Sequence, residues 1–329
     1  MADGTWLLHN LTLPQRSNLV SLVRATYAAI DMLNARDRFG KACCWLSRDD
    51  EPKTALEQLV AHVGDHDIAH PGSACDYSDV VGYEWWLQIR PPRAGMPFHH
   101  DTNWNDHESG VTESLTFARC STVTFLSDSG GPLVVLAPHD ASREAQPILG
   151  ARDDPGAYER LLNATLHTGG HTAHMTLPAF GKHVRFRGAL YHGVLSAPVP
   201  DDINDRVALV VAHWTRPMQH VRRFPREQMA AKLNRLGIPQ SDDEWRALSI
   251  LDPSPFVAPD GGAPPGAADG ACSADEILWH DEPADSTRTM VASKDALTRG
   301  PLHLSLPSTL EAGASMRVHD VGLASGVPT

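Results

Sequence analysis

Pro97-Phe98-His99-His100-Asp101 sets an imidazole and a carboxylate two residues apart. On an extended strand that spacing turns both side chains to one face. A second imidazole, His192 in Leu190-Tyr191-His192-Gly193-Val194, would complete two imidazoles and one carboxylate. This is the facial set that holds non-haem Fe(II) and leaves three coordination positions open. Fourteen positions after His192 (206 − 192) comes Arg206, opening the apolar run Val207-Ala208-Leu209-Val210-Val211. A fixed guanidinium near such a metal can anchor the far carboxylate of a dicarboxylate co-substrate. Arg206 would share its strand face with Ala208, Val210 and Ala212, a mostly apolar set that argues against a surface ion pair. A lone His-x-Asp is a weak signal among 18 histidines and 40 acidic residues. Order, spacing and strand context together point to oxygen chemistry at iron.

Those side chains need strands to carry them, and residues 81–216 have that texture. Tyr83–Ile89, Thr122–Leu126, Leu133–Leu136, His174–Leu177, His183–Phe186 and Arg206–Trp214 read as short strands punctuated by Gly and Pro. The pattern predicts a sandwich or jelly roll, not a parallel α/β sheet. Residues 1–80 read as a helical buttress. Leu19, Leu22, Val23, Tyr27, Ile30 and Leu33 repeat helically between Pro14 and about Asp37, and a second helix is expected from about Pro52 to Val63. Residues 217–251 read as a further helical extension. Residues 252–275 are dense in Pro, Gly and Ala and read as a linker or long loop. Residues 276–329 form a C-terminal extension with weak strand signals at Leu302–Leu306 and Met316–Val321.

Composition narrows the class. The hydrophobic fraction of 42% and charged fraction of 21% are those of a globular protein. A net charge of −12 argues against a nucleic-acid partner, whose phosphates require a basic surface. Five cysteines without a Cys-x-x-Cys suggest reduced thiols and an intracellular, cytoplasmic setting. Met1 to Trp6 shows no signal-peptide pattern, and no window approaches the length of a membrane helix, so no membrane partner is expected.

The ordered set Glu84-Trp85-Trp86-Leu87-Gln88, Phe98-His99-His100-Asp101, Ser121–Leu126, Gly130-Gly131-Pro132-Leu133-Val134-Val135 and Phe186–Val194 resembles the Fe(II)/2-oxoglutarate-dependent dioxygenase superfamily over about residues 80–216. The resemblance implies a mainly β fold with flanking helices and a double-stranded β-helix core, a cupin-like jelly roll with the metal where its two sheets splay. It implies Fe(II), 2-oxoglutarate and O2 as cofactor and co-substrates, with oxidation of a C–H bond and release of succinate and CO2. The carboxylate Asp101 favours hydroxylation, desaturation or ring closure over halogenation, because halogenating relatives lack it. The expected substrate is a small molecule or an amino-acid side chain.

Around the expected ligands His99, Asp101 and His192, Arg206 is the expected anchor of the distal carboxylate. Many relatives carry Ser two residues later, where this chain has Ala208. Thr122, Thr124 and Tyr83 are alternative sources of a hydroxyl. Gln88 shares a strand face with Trp86 and Arg90, so Gln88 could bond the bound acid and Trp86 could wall a substrate pocket. Trp104, in the polar Asn103–Glu108 segment, is a second candidate wall. His100 should point away from Asp101, and His183 and His213 should be structural. His167, His171 and His174 lack a nearby acidic partner. A 2-oxoglutarate-independent, cupin-type iron dioxygenase and a non-catalytic jelly-roll binding protein are the alternatives. Succinate release separates them.

Overall fold

The computed structural model describes residues 6–10, 23–24, 43–69, 76–91, 94–138, 145–150, 153–154, 156–158, 160, 171–195, 205–224, 279–280, 288–290, 302–304 and 315–318. Strands β1 (Trp6–Asn10) and β2 (Cys44–Ser47) precede helix α1 (Ala55–Ala69). Next come β3 (Gly82–Arg90), β4 (Met96–His99), the short helix α2 (Trp104–Glu108), β5 (Cys120–Phe125) and β6 (Leu133–Pro138). They are followed by β7 (His171–Thr176), β8 (Lys182–Arg187), β9 (Tyr191–Val194) and β10 (Arg206–Trp214). The C-terminal region contributes β11 (Trp279–His280), β12 (Arg288–Met290), β13 (Leu302–Leu304) and β14 (Ser315–Val318).

Strands β3 to β10 divide between two sheets, with orders β1-β8-β5-β10-β3-β2 and β14-β7-β6-β9-β4. Pairing is antiparallel throughout these sheets except for β14 on β7. This is the double-stranded β-helix, mainly β with flanking helices. The β-like runs in the sequence all become strands, with ends shifted by up to three residues. Residues 1–80 contribute more than helix, since β1 and β2 close the two edges of the six-stranded sheet. Near the C-terminus, β14 joins the five-stranded sheet, while β11, β12 and β13 form a separate small sheet.

Two apolar layers explain the arrangement. Trp86, Val123, Phe125, Val184, Phe186, Ala208 and Val210 from the larger sheet meet Leu133 and Val135 from the smaller one between the sheets. On the larger sheet's other face, Tyr83, Trp85, Leu87, Val207, Leu209 and Val211 pack under Leu56, Leu59, Val60 and Val63 of α1. Every residue of β10 is therefore buried. Such a strand reads as a continuous apolar run instead of an alternation. Helix α1 begins at Thr54, whose Oγ1 accepts the Glu57 N–H at 3.1 Å, while Glu57 Oε2 accepts the Lys53 N–H at 2.6 Å. Thr54 thus caps the first turn, and the Glu57 carboxylate reaches back to the residue before the cap. The helix runs to Ala69, beyond the expected Val63.

The helix expected over 14–37 lies outside the described residues apart from Val23 and Arg24, which are helical. Residues 217–224 are turns and coil where a helix was expected to begin. Pro217 and Pro225 restrict the backbone there, and Trp45 N–H instead donates to Arg222 O at 2.8 Å. The rest of that helix and the 252–275 linker lie outside the described residues. Cys43, Cys44 and Cys120 are not joined in disulfides, and burial pushes the Cys44 thiol up to about 12. Among the described residues, no helix is long and apolar enough to cross a membrane.

Candidate metal centre

His99 and His192 are direct cross-strand partners in the β4–β9 ladder. Directly opposed residues of antiparallel strands present their side chains on the same face, and the two rings lie 4.5 Å apart between centroids. Asp101 follows at the end of β4. Its Oδ1 is 3.6 Å from His99 Nε2, and its Oδ2 is 3.5 Å from His192 Nε2. All three donor atoms fall within 4.8 Å of one another. Metal–nitrogen and metal–oxygen bonds near 2.1 Å at right angles put neighbouring donors about 3 Å apart. The cluster is thus slightly wider than a loaded facial site.

The backbone also sets the tautomers. His99 Nδ1 lies 2.9 Å from Pro97 O, and His192 Nδ1 lies 3.0 Å from Leu190 O. A carbonyl only accepts, so in the neutral rings Nδ1 carries the proton and Nε2 presents its lone pair to the centre. Asp101 is held by its own backbone, whose carbonyl accepts the Ala118 N–H at 3.2 Å. Beyond it, Asn103 Oδ1 accepts the Thr116 N–H, and Asn103 Nδ2 donates to Thr112 Oγ1 at 2.9 Å. Phe186 covers His192 at 4.8 Å between ring centroids. These residues fit a divalent metal: two oriented imidazoles and a carboxylate, with Asp101 and His192 buried.

Arg206 lies on the inner face of β10 and is 1% exposed. Its Nη1 donates to Gln88 Oε1 at 3.0 Å, and its guanidinium lies over the Phe125 ring at 5.1 Å. Its Nε and Nη2 are buried without a hydrogen-bond partner. Burial, then the charge of Arg90 directly across the ladder, pull the guanidinium down to about 9. Gly130, at φ +102°, passes so close to Arg206 that a Cβ there would lie 2.3 Å from Arg206 Cβ. Glycine is the residue that tolerates both the positive φ and the approach. Gln88 points inward as well, with Nε2 3.4 Å from Met96 Sδ, and its cross-strand neighbour is Ala208.

Thr122 and Thr124 are elsewhere. They occupy the opposite face of β5, toward α1. Thr122 Oγ1 donates to Val211 O at 3.1 Å, and Thr124 Oγ1 pairs with His183 Nδ1 at 2.8 Å. Neither hydroxyl faces Arg206, and Tyr83 also belongs to the α1-facing layer. Trp86 sits in the inter-sheet core opposite Val210. Trp104 packs edge-on against His107 and Tyr158, beside Leu115 and Ala157. The Asn103–Glu108 segment is no solvated loop, because Asp106 and His107 are buried and Asp106 Oδ1 accepts the His220 N–H at 2.9 Å. His100 is buried too, its Nδ1 3.0 Å from Ala189 O and its backbone N–H directed to the Tyr158 hydroxyl at 3.3 Å. Tyr158, which carried no signal in the sequence, thus ties the Trp104 cluster to the metal strand. His174 is buried on the inner face of β7, paired with Val135, while His167 lies outside the described residues.

A second polar cluster lies between α1 and the larger sheet. His183 Nε2 is 2.9 Å from Asp67 Oδ1, Arg185 Nη1 is 3.2 Å from the same oxygen, and His213 Nε2 is 3.4 Å from Asp67 Oδ2. His66, Asp67 and His183 have the donor types and proximity of a metal site. The Arg185 guanidinium already supplies the positive charge at this carboxylate, which makes the cluster a buried ion network. Burial would raise the Asp67 carboxyl, but the charge and hydrogen bond of His183, with His66 and His213, hold it well below the usual carboxylate range.

No protein-family model and no curated protein matches this chain. Solved structures do. A prolyl-4-hydroxylase from Pseudomonas putida aligns at 16% identity over 66% of this chain and 90% of its own, with a TM-score of 0.37. The non-haem α-ketoglutarate-dependent carbocyclase SnoK from nogalamycin biosynthesis aligns at 14% identity over 64% and 79%, with a TM-score of 0.38. EctD from S. alaskensis aligns at 14% identity over 68% and 81%, with a TM-score of 0.36.

Proposed function

We propose that this chain is a non-haem Fe(II)- and 2-oxoglutarate-dependent oxygenase that oxidises a C–H bond of a small molecule or amino-acid side chain, releasing succinate and CO2. The observation that carries this reading is the pairing of an oriented His99–Asp101–His192 cluster with a buried arginine whose donors are incompletely satisfied, both facing the same inter-sheet space. A buried charged group left partly unpaired is costly unless a ligand completes it. An anionic ligand reaching from the triad toward Arg206 would do so.

In this reading His99, Asp101 and His192 hold the metal on one face, leaving the opposite face for ligands. Iron with bound 2-oxoglutarate supplies the activation of O2 and the oxidising power. The chain supplies position. Arg206 binds the distal carboxylate through its guanidinium fork, Gln88 holds that fork in place, and the Phe125 and Phe186 rings keep the compartment dry. Hydroxylation, desaturation and cyclisation are all within the chemistry of this donor set. The test is succinate formation by purified protein given Fe(II), 2-oxoglutarate and O2. Slow uncoupled turnover by the native chain, absent in His192→Ala, is expected. Iron binding with no succinate above the His192→Ala background would contradict the reading.

A further inference from the structure

One cross-strand row of the larger sheet joins a buried hydroxyl to a buried carboxylate beside the metal cluster. Its members are Trp45, Glu84, Ala212, Ser121 and Phe186, each the register partner of the next. Directly opposed residues share a sheet face. Ala212 and Phe186 belong to the inter-sheet core, so Glu84 and Ser121 point between the sheets as well. Two contacts tie the row to the cluster. The Phe186 ring lies 4.8 Å from the His192 ring, and Ala118, three residues before Ser121, donates its N–H to Asp101 O at 3.2 Å. Ser121 is 0% exposed, and its Oγ has no hydrogen-bond partner among the described residues.

Glu84 has three indole neighbours. Its Oε2 accepts the Trp214 Nε1–H at 3.1 Å. Trp86, two residues along β3, lies on the same face. The Trp45 ring passes so close to Gly82 that a Cβ there would lie 2.4 Å from it. Indole faces attract cations, and a carboxylate among them adds a full negative charge. The residue between Glu84 and Ser121 is Ala212, which contributes only a methyl group. With strands about 4.8 Å apart, the Glu84 and Ser121 Cα atoms are roughly 10 Å from each other. A ligand nitrogen donating to both oxygens can bridge that gap. The overall field acts in the same direction, because a net charge of −12 draws cations toward the chain. Arg206 lies six residues along β10 from Ala212, roughly 20 Å away, so this row is separate from the arginine.

We propose that Ser121 and Glu84 bind a cationic nitrogen group of the primary substrate, an alkylammonium or a guanidinium, and so hold its carbon chain beside the metal cluster. The proposal rests on the reading of this site as an iron and 2-oxoglutarate oxygenase, and it narrows the substrate to organic cations, the side chains of lysine and arginine included. The cation's N–H groups donate to the Glu84 carboxylate and to the Ser121 hydroxyl, which thereby gains a partner.

The test uses the full chain with Fe(II) and 2-oxoglutarate under anaerobic conditions. The probes are n-butylammonium and n-butylguanidinium, with n-butanol as the neutral control. Binding is followed by the change in the visible metal-to-ligand charge-transfer absorption and, independently, by thermal melting. The native chain should bind at least one of the cations ten-fold or more tighter than n-butanol. Glu84→Gln keeps an acceptor for the Trp214 N–H but loses the charge, and should erase that preference. Ser121→Ala should weaken the cation about ten-fold and leave n-butanol unchanged, since the lost hydrogen bond is one to a charged group. Should Glu84→Gln not fold, Ser121→Ala carries the comparison, because it removes only the hydroxyl. Equal affinity for cations and n-butanol in a native chain that responds to Fe(II) and 2-oxoglutarate overturns the proposal and leaves the proposed function intact. A cation preference that survives the substitutions overturns it too. A native chain that does not respond to Fe(II) and 2-oxoglutarate overturns both.

Discussion

His99 and His192 stand directly opposite each other in the β4–β9 ladder, and that register is reached only through an irregularity over Pro97-Phe98. Three steps along β4, from Met96 to His99, match two along β9, from Val194 to His192. Such a bulge re-aims the side chains that follow it. It also presses the Phe98 ring onto the backbone at Gly193, where a Cβ would lie 2.8 Å from Phe98 Cδ2. Gly193→Ala should therefore shift the ladder at the ligand pair. Overpacking of this kind costs about 1–3 kcal/mol. We expect a lower melting temperature and Fe(II) affinity reduced ten-fold or more, measured by anaerobic titration. Native affinity would mean that the close approach does not hold the ligands.

Much of this centre could be read from residue order. The His-x-Asp spacing, the distant His-Gly-Val and the arginine opening an apolar strand each identify a side chain that the fold brings to the inner face. Thr122 and Thr124 show where such reading stops. Their mutual alternation was visible, but every residue of β5 is buried, so no polar face revealed which side looked inward. The four-residue strands β4 and β9, interrupted by Pro97 and Gly193, are too short to show a period. Asp67 meets Arg185 and His183 across more than a hundred residues, a pairing that local pattern cannot carry.

Arg206→Met should separate binding from folding. The variant keeps the packing over Phe125 but loses the fork. Charge-assisted hydrogen bonds contribute about 1.5–3 kcal/mol, so the 2-oxoglutarate requirement should rise roughly 10- to 150-fold. Removing an incompletely paired buried charge should leave ligand-free stability no lower. An unchanged 2-oxoglutarate KM would place the anchor elsewhere.

The Asp67 network makes the opposite prediction. Asp67→Asn leaves Arg185 buried beside a neutral amide. Breaking a buried ion pair by removing one partner typically costs about 3–5 kcal/mol. Chemical denaturation should register that loss, while Fe(II) affinity per folded molecule stays native because the network lies on the sheet face away from the triad. A stability loss below about 1 kcal/mol would show that the carboxylate charge is not holding α1 to the sheet.

Acid should weaken the fold through His213. Burial, with the neighbouring charges of His183 and Arg185, pulls its imidazole down to about 4 against the opposing charge of Asp67. An unfolded histidine titrates near 6.5. Between these values the unfolded chain binds the extra proton, so stability is full above about pH 6.5 and falls as pH drops toward 4. The shift corresponds to a loss on the order of 3 kcal/mol. Denaturant titrations at pH 7, 5.5 and 4.5 should show the decline, and His213→Gln should flatten it. An identical slope in the variant would assign the acid sensitivity to other groups.

In the proposed function, one inter-sheet space binds Fe(II) and 2-oxoglutarate together. The most direct test is an anaerobic Fe(II) titration with and without 2-oxoglutarate, following the weak visible metal-to-ligand charge-transfer absorption. A band that requires both components, saturates at one iron per chain and disappears in His192→Ala is the predicted result. Iron binding with no band at any 2-oxoglutarate concentration would contradict the account.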